Sequence, residues 1–450
     1  MTDQTLEQKL QGYASPFEML YNAPASPFQF PVKPEFSNFR DEQAAWKNAA
    51  IFQDMSHHMT DLQLQGPGVS KLLQGLAINS FGNFGAMKAK QLVVCSYDGF
   101  MIGDAILTCE TENKVHILGR PSSIMWIAYH AATGGYDVET LCIDKPSPNL
   151  ADRQLYRYQV QGPNANKILE AVNGGPLPDI PFFKMGKFRI GSYQATALNH
   201  RMSGAPGYEF WGSSEEGEAV RALVFEAGEK YDLTPVGGRI YPCTSAESGW
   251  FGGAVPAVYT GEKTKEYREW LPAKSPEGSG SIGGSYYSEE HDIEDLYLTP
   301  YELGYGFMIK FDHEFIGREA LEKMAEQPKR KKVRLVWNAE DTNEVYASQF
   351  RPGAERYKYM EMPVANYSTF SCDEVLLDGE RVGMSFVPAY SDNLRAWISL
   401  ACVREDLAAD GKELVVTWGE RDGGSAKPTV ERHVQKAIRV TVDAKPVKRG

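Results

Sequence analysis

A sequence motif that occurs twice limits the fold of this chain more than any other feature. Residues 61–73 and residues 157–169 both show an alternating strand pattern that ends in Gln, followed by Gly-Pro and an apolar pattern with helical spacing. Glycine relaxes the backbone at the strand exit, and proline has a φ that suits a first helical turn. The chain is therefore predicted to hold two similar strand-turn-helix units in a mixed α+β core.

Length and changes of pattern predict several domains, because 450 residues exceed what one hydrophobic core usually holds. We predict a discontinuous core from residues 1–58 and 150–265, a second α+β lobe at 59–149, and a connecting segment with substrate-covering loops at 266–327. Strand patterns and an Asp378-Gly379 hairpin turn predict a C-terminal β-barrel domain at 328–450. The basic run 328–334 is interpreted as a solvated linker.

Composition narrows the partners. Lys and Arg number 47 against 59 Asp and Glu, which gives a net charge of −12 and disfavours nucleic acid or an anionic membrane as a partner. The start of the chain lacks a signal-peptide pattern, and no apolar stretch has the length of a membrane span, so a cytoplasmic protein is expected.

The six cysteines lack zinc spacing, so no metal site is predicted. No pattern specifies an oligomeric state.

Two segments lack clear periodicity. Residues 252–300 are rich in Gly, Ser, Pro and Tyr and are predicted to be either functional or mobile. Within them, Gly278-Ser-Gly-Ser-Ile-Gly283 matches the dinucleotide string but lacks the flanking strand and helix of a nicotinamide site, so a flexible or ligand-covering loop is predicted. The proline-rich opening through Pro34 is predicted to run extended over the surface.

Seven motifs occur in the order seen in the glycine-cleavage T-protein, or aminomethyltransferase, family. They are residues 51–57, the two Gln-Gly-Pro units, residues 207–210, 238–249, 299–305 and 315–321. The chain resembles that family from about residue 40 to 325, and its β-rich tail resembles the family's C-terminal barrel. The resemblance implies an α+β fold of three lobes around a central cavity that binds tetrahydrofolate, with the discontinuous core as the folate-binding part.

The resemblance also implies cofactor-binding residues. In that family the glutamate of the Gly-Tyr-Glu motif holds the amino and ring N–H groups of the pterin, a role that falls to Glu209 here. A carboxylate suits such a donor edge because charge-assisted hydrogen bonds are strong. The alternative is a surface glutamate at a strand end. Gln161 as a polar ligand, Trp250 as an aromatic wall and Tyr208 of the same motif complete the predicted set.

One departure from the family concerns the substrate. Where the T-protein has paired aspartates, this chain has Gly103-Asp104, which puts aminomethyl chemistry in doubt. Within the family it most resembles the tetrahydrofolate-dependent aryl O-demethylases of lignin-degrading bacteria, which act on vanillate, 3-O-methylgallate or syringate. In that subgroup the tyrosine matching Tyr241 protonates the departing phenolate.

The same subgroup implies a substrate-binding set. The residues matching His58 and Arg120 contact the aromatic acid, and Met55 with the aromatic pair Phe28 and Phe30 joins them. The subgroup is expected to have tyrosines at the positions of Phe28 and Phe30. Because the two phenylalanines lack those hydroxyls, the sequence leaves open which ring substitution of the substrate is preferred.

The resulting hypothesis is transfer of a methyl group from an aromatic methoxy acid to N5 of tetrahydrofolate. A positioned acid contributes about 10² to 10⁴ in rate, and a tyrosine is closely matched to a phenol in pKa. Three alternatives stay open: a sulfonium such as dimethylsulfoniopropionate as the methyl donor, an aminomethyl donor as in glycine cleavage, or a folate-binding protein without catalysis.

Overall fold

The computed structural model describes residues 4–200, 204–327 and 329–444. Its strands are β1 (Ala50–Asp54), β2 (Thr60–Gln65), β3 (Lys88–Cys95), β4 (Met101–Thr111), β5 (Lys114–Gly119), β6 (Glu139–Asp144), β7 (Leu155–Gln161), β8 (Met185–Ile190), β9 (Tyr193–Leu198), β10 (Gly207–Ser213), β11 (Leu233–Val236), β12 (Ile282–Gly283), β13 (Arg330–Trp337), β14 (Phe370–Leu377), β15 (Glu380–Phe386), β16 (Ala389–Ser391), β17 (Ala396–Arg404), β18 (Glu413–Trp418) and β19 (Lys436–Asp443). Its α-helices are α1 (Leu6–Leu10), α2 (Pro16–Tyr21), α3 (Phe39–Asn48), α4 (Val69–Leu76), α5 (Pro121–Thr133), α6 (Ala165–Asn173), α7 (Gly217–Gly228), α8 (Tyr241–Ser248), α9 (Lys265–Trp270), α10 (Pro276–Ser279), α11 (Arg318–Met324) and α12 (Ala339–Ser348).

The first sheet has the strand order β11-β1-β7-β10-β9-β8, with β1 and β11 parallel and the other pairs antiparallel. Side chains alternate across it. Tyr158, Val160 and Phe210 point into an apolar core formed with α6 and α7. Arg157 and Glu209 lie on the opposite face and form an ion pair. The sheet therefore has one apolar face and one buried polar face, and the polar face holds the candidate site.

The second sheet has the order β3-β4-β5-β2-β6 and is antiparallel throughout. Leu62 on β2 and Ile117 on β5 pack with Leu72 of α4 and with Ile124 and Trp126 of α5 in the largest apolar core. This packing fixes α5, whose N-cap residue belongs to the candidate site.

The repeated motif forms two equivalent units, β2–α4 and β7–α6, as predicted. Gly66 and Gly162 have φ values of 138° and 131°, and a Cβ atom would stand 2.4 Å and 2.5 Å from a backbone carbonyl oxygen, so only glycine fits. Pro67 and Pro163 come directly before the N-cap residues and do not start the helices, because α4 begins at Val69 and α6 at Ala165. That detail of the prediction was wrong.

The C-terminal region is a closed barrel of six strands in the order β14-β15-β17-β13-β19-β18, with β18 pairing back to β14. Its interior is apolar, and Trp337 and Trp418 meet edge to face with ring centroids 5.9 Å apart. β12 extends the barrel beside β14, and β16 pairs with β17. The predicted α+β class and the predicted C-terminal barrel are confirmed.

The basic run is part of this barrel, so its interpretation as a linker was wrong. Arg330–Trp337 form β13, which lies between β17 and β19. Val333 and Leu335 are buried while Arg334 faces outward and binds Asp443. The apolar alternation from Val333 predicts a strand, and the structure starts that strand at Arg330, inside the basic run. Pro328, at the start of the run, lies outside the described residues.

Residues 252–300 are packed rather than loose. Tyr259, Tyr267 and Tyr297 are buried in the largest core. The segment Gly278–Gly283 ends α10 and forms β12, and the amide of Ser281 donates to the hydroxyl of Thr369 at 3.1 Å. The prediction of a flexible or ligand-covering loop for Gly278–Gly283 was therefore wrong.

The opening segment begins with two helices. They are α1 and α2, which are N-capped by the hydroxyls of Thr5 and Ser15, so the prediction of an extended form is wrong for them, while residues 23–34 have no helix or strand. Across the part of the chain that the structure describes, every helix is too short or too polar to cross a bilayer. All six cysteines are free thiols.

Candidate active site

Two cavities meet at Tyr241. The first, here called the Glu209 cavity, has a volume of about 380 Å³ and lies between the first and second sheets. The second, here called the His58 cavity, has a volume of about 560 Å³ and is bounded by the segment Phe30–Lys33, by His58 and by the start of α8. Of the residues predicted from sequence, Glu209, Trp250, Arg120 and Met55 line the first cavity, Phe30 and His58 line the second, and Tyr241 lines both.

Glu209 presents a buried, ionised carboxylate to its cavity. Nη1 of Arg157 donates to Oε1 at 2.8 Å, and Nδ1 of His200 lies 3.5 Å from Oε2. Burial acts to raise the pKa of Glu209, but the neighbouring His200 ring and the charge of Arg157 outweigh it and lower the pKa to about 2. The side chain is 2 % exposed, so this negative charge is fixed in place by its two partners.

Asp104 is the centre of a second polar cluster in the same cavity. One of its oxygens, Oδ2, accepts hydrogen bonds from Nε2 of Gln91 at 2.6 Å, from the hydroxyl of Tyr305 at 2.7 Å and from Nε1 of Trp250 at 3.2 Å. These donors come from β3, from the segment after β12 and from the loop after α8. The carboxylate therefore fixes the orientation of the Trp250 indole, which forms part of the cavity wall.

Tyr241 is the first residue of α8 and is 7 % exposed. Burial and the negative charge of Glu209 raise its pKa well above the usual value of a tyrosine, and the positive charge of Arg120 only partly opposes them. The charges that act on this hydroxyl are those of Glu209, Arg120 and Asp104, which line the Glu209 cavity together with Tyr241. It is a phenol, not a phenolate, at neutral pH.

Arg120 is the N-cap residue of α5. Its Nη1 donates a short hydrogen bond to the carbonyl oxygen of Gly252. Burial lowers the pKa of the guanidinium, but an arginine retains its charge under all ordinary conditions. With five N–H donors and one used in this way, the side chain can still bind an anion in the cavity.

The two adjacent histidines differ in environment. Nδ1 of His57 donates to the carbonyl oxygen of Ser147 at 2.8 Å. Its Nε2 lies 3.4 Å from Asp54, whose carboxylate overcomes the opposing effect of burial and raises the pKa of His57. His58 packs between the rings of Phe30 and Tyr241, at centroid distances of 5.3 Å and 4.9 Å. Burial lowers the pKa of His58 to about 4, so it is neutral, and its Nε2 has no hydrogen-bond partner among the described residues.

Three residues of the predicted site line neither cavity. Tyr208 packs in the apolar core of the first sheet, with its ring centroid 6.0 Å from that of Phe188. Gln161 is on the polar face, but its amide donates to the carbonyl oxygen of His200 at 2.7 Å. Phe28 is 48 % exposed and stacks edge to face on Phe30.

Several residues of the site were not predicted. Arg157 and His200 bind Glu209, while Gln91 and Tyr305 bind Asp104. Arg157 gave one usable signal, because it is the charged residue on the polar side of an alternating strand, and a buried charge needs a partner of opposite charge. The other three are recognisable only from their contacts.

Comparison with known proteins identifies the family. The model of the GCVT N-terminal domain matches residues 14–251, which is more than half of the chain. The chain belongs to the GCVT family. A syringate O-demethylase from Sphingobium sp. strain SYK-6 is 41 % identical to this GCVT protein over 98 % of the chain and 96 % of the relative.

More distant relatives extend the comparison. A sesamin methylene transferase from Sinomonas sp. strain No.22 is 28 % identical over 94 % of the chain and 91 % of the relative. An aminomethyltransferase from Caldanaerobacter subterraneus subsp. tengcongensis is 24 % identical over 88 % of each chain. Among solved structures, aminomethyltransferase T of the glycine cleavage system from Bartonella henselae superposes with a TM-score of 0.61 at 14 % identity and covers 94 % of each chain. The aminomethyltransferase-like fold expected from the sequence motifs is thus confirmed.

Proposed function

We propose that this protein is a tetrahydrofolate-dependent aryl O-demethylase that transfers the methyl group of a syringate-type methoxy acid to N5 of tetrahydrofolate. The observation that carries the proposal is the placement of a protonated phenol (Tyr241), an ionised carboxylate (Glu209) and a guanidinium (Arg120) in the wall of one cavity. The 41 % identity to a syringate O-demethylase along nearly the whole chain supports it. Its place would then be the breakdown of lignin-derived aromatic acids.

The residues of the Glu209 cavity fit a reduced pterin. A carboxylate has about four lone-pair sites, so Glu209 keeps acceptor capacity for N–H donors beside its contacts with Arg157 and His200. Trp250, held by Asp104, and Phe183 offer aromatic surface to a flat ring system. Glu209 would hold the donor edge of the pterin, and Trp250 would pack beside it. When bound, tetrahydrofolate supplies the nucleophilic nitrogen that accepts the methyl group.

Tyr241 is suited to be the acid of this reaction. An aryl methyl ether resists cleavage because the phenolate is a poor leaving group, so a proton must reach the ether oxygen as the bond breaks. Tyr241 lines the Glu209 cavity, and its hydroxyl stays protonated through neutral pH. The hydroxyl would donate a hydrogen bond to the ether oxygen and transfer its proton to that oxygen in the transition state. Such a positioned acid contributes about 10² to 10⁴ in rate.

Arg120 and His58 are suited to orient the aromatic acid. The free N–H groups of Arg120 can hold a carboxylate bidentately. The neutral His58 ring has an unpartnered Nε2, which can exchange a hydrogen bond with a ring hydroxyl. Met55 adds an apolar contact from the cavity wall. Neither Arg120 nor His58 needs to move a proton for the methyl transfer.

The test is an assay for 5-methyltetrahydrofolate, and for 5,10-methylenetetrahydrofolate with the aminomethyl donor, after incubation with tetrahydrofolate and one donor at a time. Syringate, 3-O-methylgallate and vanillate are compared with dimethylsulfoniopropionate and with an aminomethyl donor. Product formed with an aryl ether and with neither of the other donors supports the proposal. Product formed only with the sulfonium or the aminomethyl donor, or with none, overturns it.

A further inference from the structure

Glu42 on α3 is a buried side chain that binds three backbone amides from two distant segments. It is fully buried. Its Oε1 accepts from the amides of Phe36 at 2.6 Å and Ser37 at 2.9 Å, and its Oε2 accepts from the amide of Gly237 at 2.9 Å. A carboxylate without water around it needs such donors. This side chain therefore joins the N-terminal segment to the segment that precedes Tyr241.

A short turn connects the anchored Gly237 to Tyr241. Gly237 directly follows β11, and Gly238–Ile240 form a single 3₁₀ turn. The amide of Tyr241 donates to the carbonyl oxygen of Gly238, and Tyr241 then starts α8. Because only one hydrogen-bonded turn lies between them, the position of the Gly237 amide determines where α8 begins and where the phenol stands.

The two segments are also in direct backbone contact at this point. The amide of Gly238 donates to the carbonyl oxygen of Lys33 at 3.0 Å. The amide of Arg239 donates to the carbonyl oxygen of Pro34 at 3.1 Å. A Cβ atom at Gly237 would stand 2.0 Å from the carbonyl oxygen of Pro34, so only glycine permits this approach. The backbone before α8 is thus held by the N-terminal segment, and the carboxylate binds both sides of the contact.

We propose that Glu42 is a positioning residue for the methyl transfer, because by holding Gly237 it sets the place from which the Tyr241 hydroxyl reaches the ether oxygen. Its side chain lines neither cavity, so it acts through Tyr241 and touches neither substrate nor cofactor. This inference rests on the proposed function, since it assigns a supporting residue to the acid of that reaction. A displacement of about 1 Å in a reacting group can cost about a hundredfold in rate.

The first test is Glu42→Gln. A glutamine has one accepting oxygen where the carboxylate has two, so its NH₂ group faces either the Gly237 amide or the amides of Phe36 and Ser37. The saturating kcat with syringate should fall about tenfold to a hundredfold, while calorimetry should show a Kd for tetrahydrofolate within about twofold of wild type.

The matched control is Glu35→Gln. Glu35 lies in the same segment, but it binds the guanidinium of Arg239 at 2.8 Å and no backbone amide before α8. This variant removes a carboxylate from the same place and leaves the three amide bonds of Glu42 intact. Its kcat should stay within about twofold of wild type, as expected for a partly exposed ion pair.

The decisive test combines Glu42→Gln with Tyr241→Phe. Without the acid there is no hydroxyl to position, so adding Glu42→Gln to Tyr241→Phe should change kcat by less than about threefold. A merely structural role would lower kcat by the same factor in both backgrounds. Glu42→Asp keeps a carboxylate but withdraws it by one methylene, so its loss should be smaller and should also vanish with Tyr241→Phe. It carries the same test if Glu42→Gln does not fold.

A crystal structure of the Glu42 variant provides a readout that needs no turnover, since the Tyr241 hydroxyl should lie about 1 Å or more from its wild-type position. The inference is overturned if kcat falls equally in both backgrounds, if kcat stays within about twofold of wild type, or if the Tyr241 hydroxyl does not move. Failure of the proposed function is distinct, because the wild-type protein would then demethylate no aryl ether, while the crystal comparison would still show whether Glu42 positions Tyr241.

Discussion

Arg157 and Glu209 form a buried ion pair, with Nη1 and Oε1 2.8 Å apart and both side chains at most 3 % exposed. They stand on the adjacent strands β7 and β10, and the guanidinium also stacks 4.5 Å above the ring of Trp211. A buried carboxylate such as that of Glu209 is stable only when an opposite charge and hydrogen bonds replace its contacts with water. The pair therefore presents a fixed carboxylate to the cavity before any ligand binds.

Glu209→Gln should weaken tetrahydrofolate binding about tenfold to a hundredfold, because hydrogen bonds to a charged group contribute roughly 1.5–3 kcal/mol. The amide also places an N–H group where the pterin presents donors. The affinity for syringate should change less than twofold. Isothermal titration calorimetry with each ligand separately measures both values.

The glutamine variant leaves Arg157 without its charged partner, so its thermal stability has to be measured alongside. Arg157→Lys is the matched control, since it keeps a positive charge next to Glu209 and should retain more folate affinity than Arg157→Met. Equal weakening of both ligands in Glu209→Gln would contradict the assignment of this cavity to the cofactor.

Tyr241→Phe should bind tetrahydrofolate normally and lose about 10² to 10⁴ in turnover, because only the acid is removed. Single-turnover kinetics at saturating ligands isolate that step. As burial raises the pKa of Tyr241, wild-type turnover should show no loss from tyrosine ionisation up to about pH 9. A variant that retains turnover within about threefold of wild type would rule out the role assigned to Tyr241.

His58 should make the protein less stable in mild acid. Its pKa falls from 6.5 in the unfolded chain to about 4 in the folded protein, so between these values the unfolded chain takes up a proton that the native state does not. Stability from this group is complete above pH 6.5 and is lost as the pH falls toward 4, by about 3 kcal/mol. Urea unfolding at several pH values should show a shallower loss in His58→Asn.

The control for this prediction is Phe28→Leu, because Phe28 is 48 % exposed and its ring contacts Phe30. It should keep the steep wild-type loss. Identical slopes for His58→Asn and wild type would show that His58 is not the buried neutral group described here.

Asp373→Asn should stabilise the protein above neutral pH. Asp373 is fully buried; its Oδ1 accepts from the amide of Ser285 at 3.0 Å, whereas Oδ2 lacks a partner in the described part of the chain. Burial raises the pKa of Asp373 to about 7 against the opposing charge of Lys358. Because the folded pKa exceeds the unfolded one, stability falls as the pH rises toward 7, and the asparagine escapes this loss.

The expected advantage of Asp373→Asn grows by about 2–3 kcal/mol between pH 5 and pH 8, measured by urea unfolding. Parallel stability curves for variant and wild type over that range would contradict the prediction.

Local sequence patterns predicted the strands and helices better than they predicted the contacts between these elements. The two Gln-Gly-Pro units gave β2–α4 and β7–α6 because strand alternation, a glycine turn and helical spacing are all local. The strand pattern from Val333 to Trp337 was recognised in the sequence, but β13 starts at Arg330, inside the basic run that was interpreted as a linker.

The candidate site shows the same division. Tyr208 and Glu209 are neighbours on one strand and so face opposite sides, which a strict use of alternation would have shown before the structure. The cluster around Asp104 joins residues from positions 91 to 305. Only tertiary packing brings those side chains together, and a single sequence does not reveal it.

The most direct test of methyl transfer to the folate is a reaction of the wild-type protein with syringate carrying ¹³C in its methoxy groups and unlabelled tetrahydrofolate, followed by NMR. The predicted result is one labelled methyl on N5 of 5-methyltetrahydrofolate for each phenol released. Labelled formaldehyde or methanol, or an unlabelled folate product, would contradict direct transfer.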